Sequence, residues 1–558
     1  MHNYKEEYKM RNKTMRKLVC TAMACVTALS LTACGGGNGG AGKSEEKQAK
    51  ETKETQIKDV SFPLQEEATL KVMTKAAAIS TQNPEEKLIF QRIKEQTNVN
   101  IDWTCYVEDQ FVDKRNLALA KKDSLPDILF NAEMNNVELL KYAKQGVIVP
   151  VEDLIDSYMP NLQKVLTECP EYRKLITAPD GHIYSFPWIE QLGVGKEAIQ
   201  AIGGMPYINQ KWLDDLGLPM PETTEDLKNV LIAFRDSKPC GTENVIPMSC
   251  RVNGGNEDLG FILGAFGYGD NPDHIMVDDD GKVVYSVTDE GYKEGISWLH
   301  ELQEENLIDP EAYTQDYATY TAKGKNGQYG LFFGWDQASI VSAPQDYVPL
   351  PALKGPEGIV NAVRQSGSAD GGFQAGRCVL TSACVNQELA AKWIDLMYDP
   401  LQSIQNNWGT YGEEGKSNIF ELKEDNTLSH LEIVGESPYD VRVQQMVAGP
   451  LAVLNSYYGK YTTCPPDALE RMDNVKSYVD SMKYEMVYPN IFMSEEDATS
   501  VARYETDIKQ YAEQKKADWI LNGGVDEQWE DYMQKLDELG LGEYIEIKQK
   551  YLDAYLAQ

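Results

Sequence analysis

The side chains with the most distinctive chemistry in this chain are flat rings set beside planar polar groups. Trp335 and Asp336 follow Gly330-Leu331-Phe332-Phe333-Gly334, an apolar strand that breaks at Gly334. Trp188 comes straight after Phe186-Pro187. Trp408 and Tyr411 occupy the glycine-rich stretch from Trp408 to Lys416, where a ring has few reasons to be buried. Asn131 and Glu133 follow the apolar segment Pro126–Phe130. Indole and phenol faces can cover the C–H side of a sugar-like ring, and carboxylates and amides can reach neighbouring hydroxyls. With 9 Trp and 31 Tyr the chain is well supplied with such faces. Plainer uses compete: Asp336 can cap a helix begun by Gln337, Asn131 and Glu133 can cap another, and Trp103 fits a core-facing strand position.

Bond-breaking chemistry has little footing. Two carboxylates at a defined separation could hydrolyse a glycosidic bond, but with 87 acidic residues some pair always looks suitable. No GxSxG, HExxH or Walker A pattern occurs. The five histidines, His2, His182, His274, His300 and His430, are dispersed. Asp278-Asp279-Asp280-Gly281 lacks the alternating ligand spacing of a calcium loop and reads as a hairpin turn. No metal, cofactor or enzymatic activity is expected.

The elements that must position these residues alternate. Leu70–Thr74 reads as a strand, and Asn83-Pro84-Glu85-Glu86 as a helix start with an N-cap, a proline and early acids. Val99, Ile101 and Trp103 alternate as a strand, a polar helix spans about 109–122, Pro126–Phe130 is a buried strand, and Val137–Lys144 is a helix. Strand–helix alternation means βαβ units and a largely parallel sheet, whose ligands sit at the carboxyl ends of strands. That places the loop Asn131-Ala132-Glu133-Met134 at a site. Further on, Tyr207–Leu213 begins a helix that stops at Leu216-Gly217, and Thr223 or Thr224 caps a helix with Leu227, Val230, Leu231 and Phe234 inward. Asp279–Lys282 turns a hairpin, Tyr292, Ile296 and Leu299 share a helix face, and Glu388–Tyr398 is helical. The last 65 or so residues are helical hairpins buried through Trp529, Tyr532, Met533, Leu536 and Leu539.

The N-terminus has a basic start, an apolar stretch from Leu18 to Leu31, and Leu31-Thr32-Ala33-Cys34. This is a secretory signal, and its end resembles the lipobox of bacterial lipoproteins. That resemblance makes residues 1–33 a signal peptide and Cys34 an acylated (palmitate-bearing) mature N-terminus on the outer face of the cytoplasmic membrane. Residues 34–65 read as a flexible tether, being glycine-rich and then charged. The leader carries a net +4, which leaves the mature chain near −38 against −34 for the whole. Such acidity excludes nucleic acid as a partner. Seven cysteines remain after the leader and Cys34, an odd and scattered set without CxxC, so no disulfide or zinc ribbon is assigned.

Several segments, in order, carry a family likeness. They are Leu125-Pro126-Asp127-Ile128, Asp180-Gly181-His182-Ile183-Tyr184-Ser185-Phe186-Pro187, Tyr207 through Thr224, Asp280 through Tyr285, Leu307 through Ala312, Trp408 through Lys416, Phe492 through Glu496 and Leu539 through Tyr544. Together they resemble the extracellular solute-binding proteins of ABC importers, in the carbohydrate-binding group and its large Firmicutes lipoproteins. His182 stands where the pattern usually has Lys, and Glu413 where it often has an apolar residue. The resemblance implies an α/β, two-lobe periplasmic-binding-protein-like (type II) fold with a helical C-terminal extension. It puts residues 66–180 plus 346–400 in lobe 1 and 183–343 plus 402–558 in lobe 2, with three hinge crossings. It also implies a cleft tryptophan at Trp335, and the residue types and positions noted above add Asp336, Trp188, Trp408, Tyr411, Asn131 and Glu133 as further ligand-binding candidates. A carbohydrate, an oligosaccharide by expectation, would close the lobes, and the transmembrane subunits of an ABC permease would read the closed, monomeric receptor. A surface glycoside hydrolase and a binding protein feeding a sensor kinase are the competing readings.

Overall fold

Ten strands make up the two main sheets of this computed structural model, which describes residues 60–194, 197–239, 241, 244–366, 369–434, 438–484 and 486–557. In chain order they are β1 (Ala68–Ala76), β2 (Val99–Val107), β3 (Ile128–Met134), β4 (Phe186–Glu190), β5 (Met205–Asn209), β6 (Ile246–Ser249), β7 (Tyr329–Gly334), β8 (Tyr347–Pro349), β9 (Phe373–Leu380) and β10 (Leu451–Val453). The first sheet has the order β10-β4-β9-β3-β1-β2 and the second the order β8-β5-β7-β6. Cys34, the leader and most of the tether lie outside the described residues, as does Cys240. The described residues belong to one compact unit, Thr55–Gln558.

The expected βαβ start is present. β1 pairs in parallel with β2 across nine residues and with β3 at Val72 and Met73, while β9 runs antiparallel to β3 and β4. β3 is almost wholly buried, as a strand covered on both faces must be. The helix Leu88–Thr97 that connects β1 to β2 buries Ile89, Phe90 and Ile93 on one face. Trp103 packs on Phe90 with ring centroids 4.6 Å apart, a core position.

Two apolar cores match the two sheets. One gathers residues from Val60 to Ile199 and from Phe373 to Ala468, with Phe492 reaching back to it, and the other gathers Ile202 to Ala362 and otherwise Val475 to Leu552. The chain therefore passes between them three times, at about 199–202, 362–373 and 468–475. The C-terminal helices Glu495–Asn522, Val525–Glu538 and Leu541–Leu556 close the second core through Trp519, Trp529, Tyr532 and Leu536.

Three placements differ from the sequence reading. The segment 346–400 does not join the first lobe as a block, because β8 pairs with β5 in the second sheet and Leu350, Leu353 and Ala362 fill the second core. The segment 402–468 sits in the first core, not the second lobe. Leu451, Ala452 and Val453 are fully buried and extend the first sheet in parallel beside β4, and Ser403 Oγ accepts from the Ala452 amide. Tyr207 and Ile208 are strand residues of β5, and the helix starts only at Gln210, with Asn209 accepting from the Trp212 amide.

Candidate ligand-binding site

β1 and β3 run side by side and in parallel, so their carboxyl ends open on one side of the sheet, where ligands of such sheets bind. A cavity of about 260 Å³ lies there, walled by Thr74 and Lys75 from β1, Asn131 and Glu133 from β3, Arg377 from β9 and Trp188 from β4. Its far wall is Asn407 with Arg442, Val443, Met446, Val447 and Ala448.

The backbone at the end of β3 is held in an uncommon shape. Asn131 (φ 61°) and Glu133 (φ 50°) both adopt the left-handed region, which non-glycine residues keep only where the surroundings over-determine them. Asn131 is buried and supplies that constraint. Its Nδ2 donates to Thr74 Oγ1 (3.2 Å) and to the Val447 carbonyl (3.1 Å), and its Oδ1 accepts from the Gly449 amide (2.5 Å). Gly449 has φ 81°, and a Cβ there would meet the Phe130 ring at 2.1 Å, so the far wall can approach only through glycine.

Charge in the cavity is paired but not neutralised. The Glu133 carboxylate lies 2.7 Å from Lys75 Nζ and 3.3 Å from Arg377 Nη1. Burial holds the Arg377 guanidinium below the usual arginine value while Glu133 pulls it back up, and its Nε has no protein partner among the described residues. The guanidinium faces the Trp188 ring at 5.7 Å. Lys87 is buried against the far wall and donates to the carbonyls of Gln444 (3.0 Å) and Met446 (2.6 Å), and burial pulls its pKa down to about 8. Asn407 donates to Glu190 Oε1 (2.8 Å), and Arg442 Nε donates to the Asn407 carbonyl (3.0 Å). An indole face beside amide, guanidinium and carboxylate groups can hold a polyhydroxylated ring.

Trp188, Asn131 and Glu133, all named from the sequence, come together here. Trp335 and Asp336 follow β7 of the second sheet and do not line this cavity, although the Trp335 ring packs against the first core. The half-buried Trp335 ring lies under the Arg471 guanidinium (4.1 Å), and its carbonyl accepts from Arg471 Nη1 (3.0 Å) and the Tyr207 hydroxyl (3.2 Å). Asp336 caps the helix Gln337–Ile340, accepting from the Ser339 amide (2.7 Å) and hydroxyl (2.8 Å). Trp408 is not a loop aromatic. It is the last residue of the helix Pro400–Trp408, 9% exposed, between the Arg442 guanidinium (4.0 Å) and the His430 ring (5.4 Å). Tyr411 is half-buried, with the Arg92 guanidinium 4.2 Å over its ring.

Sequence reasoning missed Lys75, Lys87, Arg377, Arg442 and Asn407. Arg377 had a signal: a single charged residue inside the largely apolar run Ala375–Leu380. Outside this cavity, Arg251, just past β6, pairs with Glu257 (2.9 Å) and faces the exposed ring of Tyr317 (5.8 Å), the first residue of the helix Tyr317–Lys325. Among the described residues no three His, Cys, Asp or Glu side chains gather as metal ligands, and no helix is long and apolar enough to cross a membrane.

Residues 78–402 match the family model described as bacterial extracellular solute-binding protein. Over 552 residues the chain is 46% identical to the fructooligosaccharide ABC transporter substrate-binding protein FusA of Streptococcus pneumoniae, spanning 98% of this chain and 99% of that one. The solved structure of FusA with kestose aligns at a TM-score of 0.79 and 48% identity, over 88% of this chain and 99% of that chain. A solute-binding protein from Bifidobacterium longum infantis, 24% identical, shares the fold at a TM-score of 0.76 over 88% of this chain and 99% of its own.

Proposed function

Because the chain belongs to the bacterial extracellular solute-binding protein family, we propose that it captures a fructose-containing oligosaccharide outside the cell and delivers it to an ABC permease. The observation that carries this reading is the cavity at the carboxyl ends of β1 and β3, where Trp188 offers a ring face beside Glu133, Arg377, Asn131 and Asn407, in a chain 46% identical to a fructooligosaccharide-binding protein.

The three chain crossings give two cores that a ligand can draw together. Closure follows if the guest binds the closed arrangement more tightly than the open one. In this reading Trp335, projecting from the second sheet, meets the sugar from the opposite side, and Trp188, Asn131 and Glu133 hold it from the first. Asp336 and Trp408 act behind the surface, one as a helix cap and the other as a support for Arg442. The protein performs no catalysis, works as a monomer, and is held to the membrane by acyl chains on Cys34.

Isothermal titration of the mature protein with kestose and with glucose-only trisaccharides tests the reading. Saturable 1:1 binding of kestose, with no sugar released on long incubation, is the expected outcome. Cleavage of the sugar would convert the protein into a hydrolase, and binding without any effect of gene deletion on uptake would make it a sensor component. Failure of labelled palmitate to enter the wild-type chain, or its entry into a Cys34→Ser variant, would remove the anchor.

A further inference from the structure

The far wall of the cavity does not end at Arg442. The helix Pro438–Gln445 carries Tyr439, Arg442 and Val443 at spacings of three and four, which puts them on one face. The Met446 amide still donates to the Arg442 carbonyl (2.8 Å), so that face continues to Met446. Val443 and Met446 line the Glu133 cavity. Tyr439 lines a second cavity of about 200 Å³, and Arg442 lines both. The second cavity is floored by Trp408 and His430 and rimmed by Pro466, with the carboxylates of Glu432 and Asp467 at its edge. Tyr439 is 70% exposed and lines this cavity.

We propose that this groove is a second subsite for the same oligosaccharide, so that units beyond those held near Glu133 pass Arg442 and lie against Tyr439 and Pro466. The proposal rests on the carbohydrate-binding reading above and adds chain-length selectivity to it. The seven residue steps from Tyr439 to Met446 advance about 10 Å along the helix axis, enough for more than one sugar ring. A wall shared with the first cavity at Arg442, ring faces on the floor and carboxylate acceptors on the rim are the features an extended saccharide needs. Trp408 then acts through Arg442: its indole lies 4.0 Å from the guanidinium that separates the two cavities and holds it in place.

The test is titration calorimetry of wild type, Tyr439→Ala and Asp467→Asn with kestose and with a purified series of longer fructan oligomers. Tyr439 and Asp467 are exposed, so both variants should fold as wild type does. Wild type is expected to bind longer oligomers more tightly than kestose. Tyr439→Ala is expected to leave kestose affinity unchanged while losing about three- to tenfold for the longer members, and Asp467→Asn to flatten the same length dependence. If kestose binds and Tyr439→Ala matches wild type at every length, the groove is no subsite. If that variant also transports less sugar in cells, the exposed ring belongs to the permease contact instead. If wild type binds no fructan of any length, the carbohydrate reading itself falls.

Discussion

The Arg377 guanidinium lies 3.3 Å from the Glu133 carboxylate although 244 residues separate them in the chain. The pair joins β9 to the end of β3 and fixes the polar floor of the cavity against the ring of Trp188. Lys75 completes the cluster from β1, so three strands contribute one charge each. Because the guanidinium is buried and its Nε lacks a protein acceptor, the cluster keeps a free donor at the place where a hydroxyl-bearing ligand is proposed to sit.

Replacing Glu133 by Gln keeps the shape but strips the carboxylate from two cations, one of them buried. Stability should fall by about 1–3 kcal/mol, since an unpaired buried charge costs more than the pair contributes. Kestose affinity should fall by about tenfold or more, as a lost charge-assisted hydrogen bond requires. Calorimetry and urea unfolding read the two effects separately. Full affinity in Glu133→Gln would remove this residue from the site.

Asn131 is the joint between the sheet and the far wall. Asn131→Ala loses bonds to Thr74, Val447 and Gly449 and places a Cβ-bearing residue at φ 61° without the local polar side chain that tolerates it. A loss of about 2–4 kcal/mol is expected, with weaker ligand binding because Val447 and Ala448 are no longer tied down. Asn131→Gly recovers the backbone term alone, so it should fall between wild type and alanine in urea midpoint.

Arg471 anchors the second tryptophan. It is buried, donates to the carbonyls of Trp335, Ile202 and Gly203, and covers the Trp335 ring. It therefore grips the first crossing between the two cores and the end of β7 together. Arg471→Met should destabilise by about 2–4 kcal/mol, because the Ile202 and Gly203 carbonyls lose their donor and the Trp335 carbonyl keeps only the Tyr207 hydroxyl. Trp335→Ala, at a half-buried position, should be milder in stability yet lose ligand affinity by about tenfold. Equal affinity in Trp335→Ala and wild type would place that ring outside the ligand's reach.

What could be read from the sequence was local. Asn131 and Glu133 followed from a buried strand and the rule for its carboxyl end, and the helix faces at Leu227–Phe234 and Tyr292–Leu299 followed from periodicity. Trp408 was misread because Gly409 and Gly412 look like a loop. The helix that contains it is set by the Asp399 cap and Pro400 at its first position. β8 and β10 have only three residues each, too short for an alternation to show, and their sheets are decided by distant partners β5 and β4. Arg377 and Arg442 reach the site through pairings hundreds of residues apart from Glu133, which no spacing rule records.

His430 makes the packing beneath Arg442 sensitive to acid. Its ring packs on Phe420 (4.4 Å) and Trp408 (5.4 Å), and burial, helped by the nearby Arg442 charge, pulls its pKa down to about 4 against an ordinary value of 6.5. Between those values the unfolded chain holds a proton that the folded chain does not, so stability contributed by the neutral ring is fully present above about pH 6.5 and is lost as pH falls through 4. The integrated effect is about 3 kcal/mol at most. His430→Phe keeps the ring packing and removes the titration. The difference in unfolding free energy between wild type and His430→Phe, which cancels the contribution of the carboxylates, should therefore shift toward the variant as pH drops from 6.5 to 4 and stay flat from 7 to 8. A difference that is constant across the whole range would mean that the folded protein protonates this ring as readily as the unfolded chain does.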